Sequence, residues 1–293
     1  MRLHHRCPVG LADCGRGVGA PMGTIEFEGI QLNYEDHGTG SPLLILNGIF
    51  MSCASWTGFV ETFSQHNRLL LLDLVDQGAS GKVDYEYTQE LQERAVLAFL
   101  DHLGLERVSI CGVSYGGEVA IRVASHHPDR VAKLILANTT AYTSCWLRDI
   151  GHSWERAMST HDGHVFFATC IPIVYSPGFY EANYPWLSAR EDMFVTHFTP
   201  AVYDAFARLT RSAETYDERA NLAQIAAPTL VISSEFDYVT PLANQRELVA
   251  AIPAAAHAVI QDAGHAAMYE KPSEFASLVL GFVNTDTASI AIS

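Results

Sequence analysis

The run Ile110-Cys111-Gly112-Val113-Ser114-Tyr115-Gly116-Gly117 decides how this chain folds. Residues 108–111 lead into it as a short apolar run that reads as a buried strand, and residues 118–127 follow with the composition of a helix. Gly112 and Gly116 stand two residues either side of Ser114. A strand that turns at once into a helix leaves no room for a Cβ at those two places. Such an elbow holds Ser114 out at the carboxyl edge of a sheet. It also aims the N–H of Tyr115, at the start of the helix, at the point where an attacked carbonyl becomes an oxyanion. Gly-x-Ser-x-Gly alone recurs by chance in about one chain in ten of this length. Its weight therefore depends on an acid and a histidine following later strands.

Upstream, residues 24–27 and 30–34 alternate apolar and polar side chains around Glu28-Gly29 and read as a β-hairpin. Residues 43–46 (Leu-Leu-Ile-Leu) form a continuous apolar run, as expected of a strand covered on both faces, and end at Asn47-Gly48-Ile49-Phe50. Gly48 permits a close turn there, so the N–H of Ile49, with Phe50 as the alternative, is the candidate second donor of an oxyanion hole. Trp56, Phe59, Val60 and Phe63 have the spacing of one helix face. A second buried strand, 69–72, ends at Asp73 and a turn containing Asp76, Gly78 and Ser80. Both aspartates read as turn and capping chemistry rather than as a metal or acid pair. Residues 88–103 are helical, with Leu91, Ala95, Phe99 and Leu103 on one face and Gly104 as the stop.

Downstream of the elbow, His126 and His127 close the helix before Pro128, without a third ligand that would make them a metal site. Residues 131–137 form the next strand. The regular alternation of strand and helix implies right-handed crossovers and a doubly wound, mostly parallel sheet of about eight strands. From residue 140 to 221 the rhythm breaks into an aromatic-rich stretch that reads as a helical cap over the carboxyl edge. Most of its aromatics belong to its own core; Trp146 and Tyr175 from the cap, with Phe50 from the oxyanion loop, are expected to contact substrate. The cluster His161-Asp162-Gly163-His164 reads as a solvated turn. Order resumes with a strand at 228–233, then Glu235-Phe236-Asp237, a helix at 242–252, a strand at 256–261, and His265. A final helix turns Phe275, Leu278, Val279 and Phe282 inward.

Ser114, Asp237 and His265 thus each follow a separate strand, in the chain order of a nucleophile, an acid and a base. A serine hydroxyl is a weak nucleophile at neutral pH, so His265 is assigned the proton transfer and Asp237 the orientation of its imidazole. Glu235 is the competing acid, set aside because Asp237 lies nearer the following helix and has the shorter reach.

Asn47-Gly48, Asp73 with Gly78 and Ser80, the elbow run, Glu235-Phe236-Asp237 with Thr240-Pro241, and Gly264-His265 together resemble the alpha/beta-hydrolase superfamily from residue 24 to residue 283. The resemblance implies hydrolysis of a carboxylic ester of a small to medium hydrophobic substrate through an acyl-enzyme, with no metal and no cofactor. The family usually places His before the glycine of the oxyanion loop; here Asn47 stands there and is expected to brace the loop by hydrogen bonds. A serine nucleophile argues against the haloalkane dehalogenase and epoxide hydrolase branches, which need Asp. Asn47-Gly48 with the run Met51-Ser52-Cys53-Ala54-Ser55-Trp56 is similar to acyltransferases that move 3-hydroxyacyl groups. Transfer to an alcohol or thiol is therefore the alternative, with lactone or carbon–carbon bond hydrolysis beside it.

The totals agree with a globular protein. The 293 residues are 48% apolar and 17% charged, enough for a large core, and the formal charge of −15 opposes nucleic acid and anionic membranes as partners. The longest apolar runs are too short to span a bilayer. Six scattered cysteines (Cys7, Cys14, Cys53, Cys111, Cys145, Cys170) without zinc spacing fit free thiols and a cytoplasmic location. Cys53 and Cys111, near the site, read as small apolar side chains. The expected organisation is a flexible tail over 1–22, a core over 23–139 and 222–284, a cap over 140–221 and a second tail over 285–293. Met22 is an alternative start to Met1, and the assembly is expected to be a monomer or homodimer.

Overall fold

The structure is a computed structural model that describes residues 22–285. The first tail up to residue 21, the question of the start, Cys7, Cys14, and the second tail from residue 286 lie outside the described residues. Met22, read from sequence as part of the tail, opens the first strand instead, where it pairs with Glu35.

Eight strands form one sheet: β1 Met22–Phe27, β2 Ile30–His37, β3 Ser41–Leu46, β4 Asn67–Leu72, β5 Val108–Val113, β6 Val131–Ala137, β7 Thr229–Ser234 and β8 Ala256–Ile260. Their order across the sheet is β1-β2-β4-β3-β5-β6-β7-β8, and β2 alone runs against the others. β3, β4 and β5 occupy the middle, and Leu43 to Leu46, Leu69 to Leu72 and Ile110 are almost wholly enclosed, as continuous apolar runs require. Helices α1 Val60–Ser64, α2 Gln89–His102 and α3 Tyr115–His126 belong to the first half of this layer, and α9 Leu242–Ala251, α10 Ala267–Glu270 and α11 Pro272–Asn284 to the second. Between β6 and β7 the chain leaves the sheet for five helices: α4 Cys145–Met158, α5 Gly163–Cys170, α6 Pro177–Ala182, α7 Tyr184–His197 and α8 Pro200–Ser212. A single bridge between Tyr142 and Asp217 draws the two ends of this insertion together.

One helix differs from its periodicity. Instead of a continuous helix through Trp56 and Phe63, a 3₁₀ turn at Cys53–Trp56 precedes the five-residue α1. Two side chains fix that turn: Asp73 Oδ1 accepts from Cys53 N at 2.7 Å and Asn47 Oδ1 from the Trp56 indole at 2.7 Å. The apolar face survives the break, since Trp56, Phe59 and Phe63 pack on one another and on Phe275. In α11, Phe275 and Val279 are buried and Leu278 and Phe282 only half-buried. No helix among the described residues is long and apolar enough to cross a membrane.

Candidate active site

β5 ends at Val113 and α3 begins at Tyr115, so Ser114 is the whole connection, at φ 52° and ψ −121°. A non-glycine residue in that region is strained. The strain is held by Ser114 N donating to Ala137 O at 2.9 Å and by Thr139 Oγ1 donating to Ser114 O at 2.8 Å. A Cβ on Gly112 would run into the backbone of Gly116 and Gly117, and one on Gly116 into the carbonyl of Leu46.

His265, in the loop after β8, brings Nε2 to 2.9 Å from Ser114 Oγ, and its Nδ1 lies 3.0 Å from both Asp237 oxygens. Asp237 is enclosed in the loop after β7. Its carboxylate accepts from Val239 N and Thr240 N (2.9 Å each), Thr240 Oγ1 (2.9 Å), Asn138 Nδ2 (2.9 Å) and Gln245 Nε2 (3.1 Å). Burial alone pushes the Asp237 carboxyl up. The charge and hydrogen bond of His265, with those from Asn138 and the Thr240 N–H, outweigh it and hold the carboxyl below its ordinary value. Glu235 is exposed and turned away, accepting from Asp262 N at 3.0 Å. The structure thus brings Ser114, His265 and Asp237 together and leaves the competing acid out.

On the opposite side of Ser114 stands the loop after β3. A Cβ added to Gly48 would lie 3.5 Å from Ser114 Cβ, which measures how closely this backbone approaches. Neither the N–H of Ile49 nor that of Tyr115 has a hydrogen-bond partner among the described residues. Asn47 braces the loop as expected, donating to Leu72 O at 3.0 Å and accepting from Trp56. Sequence reasoning missed Gln77, which donates to Gly48 O at 2.9 Å, and Asn138, at φ 47°, which ties Asp237 to Ser234.

Two chambers meet at Ser114, Ile49 and Trp154. The wider, about 700 Å³ with its mouth, is lined mainly by Phe50, Met51, Ile171, Val174, Tyr175 and Met268 and includes His265. Arg190 also reaches it, its guanidinium 4.6 Å from the Trp186 ring and 5.4 Å from that of Tyr269. The narrower, about 550 Å³, is lined by Glu118, Thr143, Thr210 and Thr240 with Arg148, His152, Glu155 and Glu214 at its rim.

Phe50 and Tyr175 therefore stand where expected, and Trp146 does not. It is 55% exposed, its indole donates to Tyr238 O at 2.8 Å, and it lines neither chamber. The inward face of α4 is Leu147, Ile150 and Trp154, a helical spacing that singles out Trp154 where aromatic content alone points to Trp146.

The remaining clusters are structural. Asp73 accepts from Cys53 N, Asn33 Nδ2 and Ala79 N. Asp76 accepts from Val83 N and Tyr87 and pairs with Arg208 on α8 at 2.8 and 3.0 Å, a cap contact its turn context gives no hint of. Asp162 caps α5, while His161 and His164 reach Asp204 and Glu191. His126 and His127 contact Glu93. Burial pushes the Cys111 thiol up to about 12 and the Cys53 thiol, beside Asp73, higher still, so neither supplies a thiolate at neutral pH. Among the described residues no three His, Cys, Asp or Glu side chains are grouped to hold a metal.

A strand-elbow-helix carrying serine, with its histidine and aspartate on later strand ends, defines a hydrolase of the alpha/beta fold. The sequence profile described as alpha/beta hydrolase fold matches residues 41–272, and the chain belongs to that family. Among solved structures it is similar to MGS-M2, an alpha/beta hydrolase enzyme from a Medee basin deep-sea metagenome library. That likeness has 39% identity and a TM-score of 0.90 over 92% of this chain and 100% of the other. It also resembles the enol-lactonase of Burkholderia xenovorans (25% identity, TM-score 0.80, 90% and 100% covered). Among curated proteins it is 30% identical to the pimeloyl-[acyl-carrier protein] methyl ester esterase of Nitrosomonas europaea, over 84% of this chain and 97% of that one.

Proposed function

We propose that this enzyme cleaves a carboxylic ester of a small to medium hydrophobic substrate through an acyl-enzyme on Ser114. The observation that carries the reading is the continuous path Ser114 Oγ, His265 Nε2, His265 Nδ1, Asp237, with every gap at hydrogen-bond distance. His265 takes the Ser114 proton as Oγ adds to the carbonyl carbon, and Asp237 stabilises the imidazolium. The negative oxygen sits against the Ile49 and Tyr115 N–H groups, at the positive end of α3. His265 then returns its proton to the leaving alcohol, and a water activated the same way releases the acid.

This chemistry orients the substrate. The leaving oxygen must meet His265 Nε2, and His265 lines only the wider chamber. The alcohol half therefore occupies the wider chamber and the acyl half the narrower one. Ester cleavage by the similar esterase and lactone cleavage by the similar enol-lactonase, as their names have it, lie within the same chemistry.

One observation favours acyl transfer as a second reading. The nucleophile that resolves the acyl-enzyme enters where the alcohol left, through apolar walls that suit a carbon-bearing acceptor better than water. The test is a panel of p-nitrophenyl esters of increasing acyl length, run with wild type and Ser114→Ala, with and without an added alcohol or thiol. Steady turnover in wild type that vanishes in the variant is the expected result. A stoichiometric burst relieved only by the acceptor assigns the protein to acyl transfer, and equal rates in both proteins remove Ser114 from the chemistry.

A further inference from the structure

The narrower chamber holds one group that ester cleavage leaves unused. Glu118 lies one turn beyond Ser114 on α3, its N–H donating to Ser114 O at 3.2 Å. Side chains on a helix lean toward its N-terminus, so this carboxyl reaches back toward the elbow. It forms part of the chamber wall while the residue as a whole is only 4% exposed. Its hydrogen-bond partner is Gln89, 2.5 Å from Oε2. The other oxygen, Oε1, has no partner among the described residues, yet it is not one of the enclosed unpaired polar atoms. Oε1 therefore opens on the chamber.

The chemical state of that carboxyl follows from its surroundings. No cationic side chain offsets it; burial pushes it up to about 8, against the pull of the Gln89 hydrogen bond, so it is held as the acid at neutral pH. Gln89 Nε2 donates to Oε2, so Oε2 is the carbonyl oxygen of the acid and the proton sits on Oε1. Glu118 Oε1 is then a hydroxyl facing the substrate, able to accept a hydrogen bond as well as to donate one. The threonines beside it point the same way: Thr143, Thr210 and Thr240 already donate to Ala213 O, Phe206 O and Asp237 Oδ2, leaving only their acceptor sites free. The charged side chains of the rim stand further out, with His152 3.4 Å from Glu214 and Glu155 3.6 Å from Arg211.

We infer that Glu118 is a specificity-determining residue, accepting at Oε1 an O–H or N–H donor carried by the acyl group a few bonds beyond its carbonyl. The orientation rests on the ester-cleaving reading, which sends the acyl half to this side of Ser114. A plain hydrocarbon acyl chain leaves the acceptors of the chamber dry and unpaired, and that is the source of the discrimination.

The test compares p-nitrophenyl esters in matched pairs that share one leaving group: 2-hydroxypropanoyl with 2-methylpropanoyl, and 3-hydroxybutanoyl with 3-methylbutanoyl. Wild type is expected to favour one hydroxy ester over its methyl partner by about tenfold or more in kcat/KM. Glu118→Leu is expected to abolish that preference, whereas Glu118→Gln, which keeps a carbonyl oxygen in place, retains it. Ratios within about twofold in wild type, or a preference that survives Glu118→Leu, overturn the inference. So does discrimination that appears only when the hydroxyl is moved to the alcohol half. The same pairs as free acids, titrated calorimetrically into Ser114→Ala, give a readout independent of turnover. If every ester is inert, the ester-cleaving reading falls, and equal affinities of hydroxy and methyl acids for Ser114→Ala then overturn the Glu118 assignment separately.

Discussion

The strand ends and the cap both wall the site, and they hold their residues by different means. At the sheet edge backbone groups and neighbouring side chains share the work: Ser114 N donates to Ala137 O and Ser114 O accepts from Thr139 Oγ1, while Asp237 accepts from the N–H groups of Val239 and Thr240 and from the amides of Asn138 and Gln245. The cap is joined to the layer below chiefly through side chains, beside the backbone bond from Ala266 N to Val174 O. Arg208 on α8 pairs with Asp76, Arg211 with Glu86, and Ser176 with Glu270. Ladder hydrogen bonds are set by the fold and tolerate sequence change, whereas a side-chain pin exists only while both partners do. The edge therefore positions the reacting groups, and the cap, with residues of the edge, walls the chambers beside them.

If that division is right, the largest effects belong to the edge. Ser114→Ala is expected to lower kcat by about 10⁶-fold, and a residual rate near wild type would break the comparison at its root. Asp237→Asn is expected to lower kcat by about 10⁴-fold through the wrong imidazole tautomer. Glu235→Gln should leave kcat nearly unchanged; the reverse ranking moves the acid to Glu235.

Smaller effects separate the pins of the cap. Asp76 is fully enclosed, so Arg208→Met leaves a buried carboxylate without its cation and is expected to destabilise by about 3 kcal/mol or more. Arg211→Met, which breaks a pair whose Glu86 side chain is 63% exposed, is expected to change stability by less than about 1 kcal/mol. Chemical denaturation of both variants measures the difference, and equal losses would mean that the buried pin is no stronger than the surface one.

Glu118 sharpens the same contrast through pH. Its folded-state value is raised from 4.5 to about 8 by burial, so the folded protein keeps a proton that the unfolded chain gives up. The stability this proton confers is complete below about 4.5, declines as pH rises, and is gone once pH passes about 8. Glu118→Gln has no proton to lose and should show a flatter decline of Tm over that window; an unchanged slope would mean that Glu118 is ionised throughout. The smallest effect is expected at Trp146, outside both chambers. Trp146→Ala should alter kcat/KM by less than about threefold across the ester panel, and a larger change would return that residue to the substrate.

The sheet and the three residues of its edge were legible because local sequence dictates them. Continuous apolar runs mark strands 43–46 and 69–72, and glycines at two fixed places mark the elbow around Ser114. Choosing Asp237 over Glu235 needed only the reach of a short side chain. What escaped notice depends on distant pairing. Gln77, Asn138 and Gln245 carry no local signal, because each acts by donating to a group brought near by the fold. Arg208 was similarly silent, since its partner lies 132 residues away. Trp146 differs in kind: aromatic content points to it, whereas the phase of α4 puts Trp154 on the inward face and Trp146 outside both chambers.

Glu270 connects the two regions in a way that bears on how the enzyme handles substrate. One of its oxygens accepts from Gly264 N, next to His265, and from Ser176 N, while the other accepts from the Ser176 hydroxyl at the start of α6. A single carboxylate thus fastens the base's loop and the roof of the site to each other. A swing of the roof that takes Ser176 with it would give up both Ser176 bonds and leave Gly264 N as the partner of this carboxylate, so the anchor beside His265 would rest on one donor in place of three.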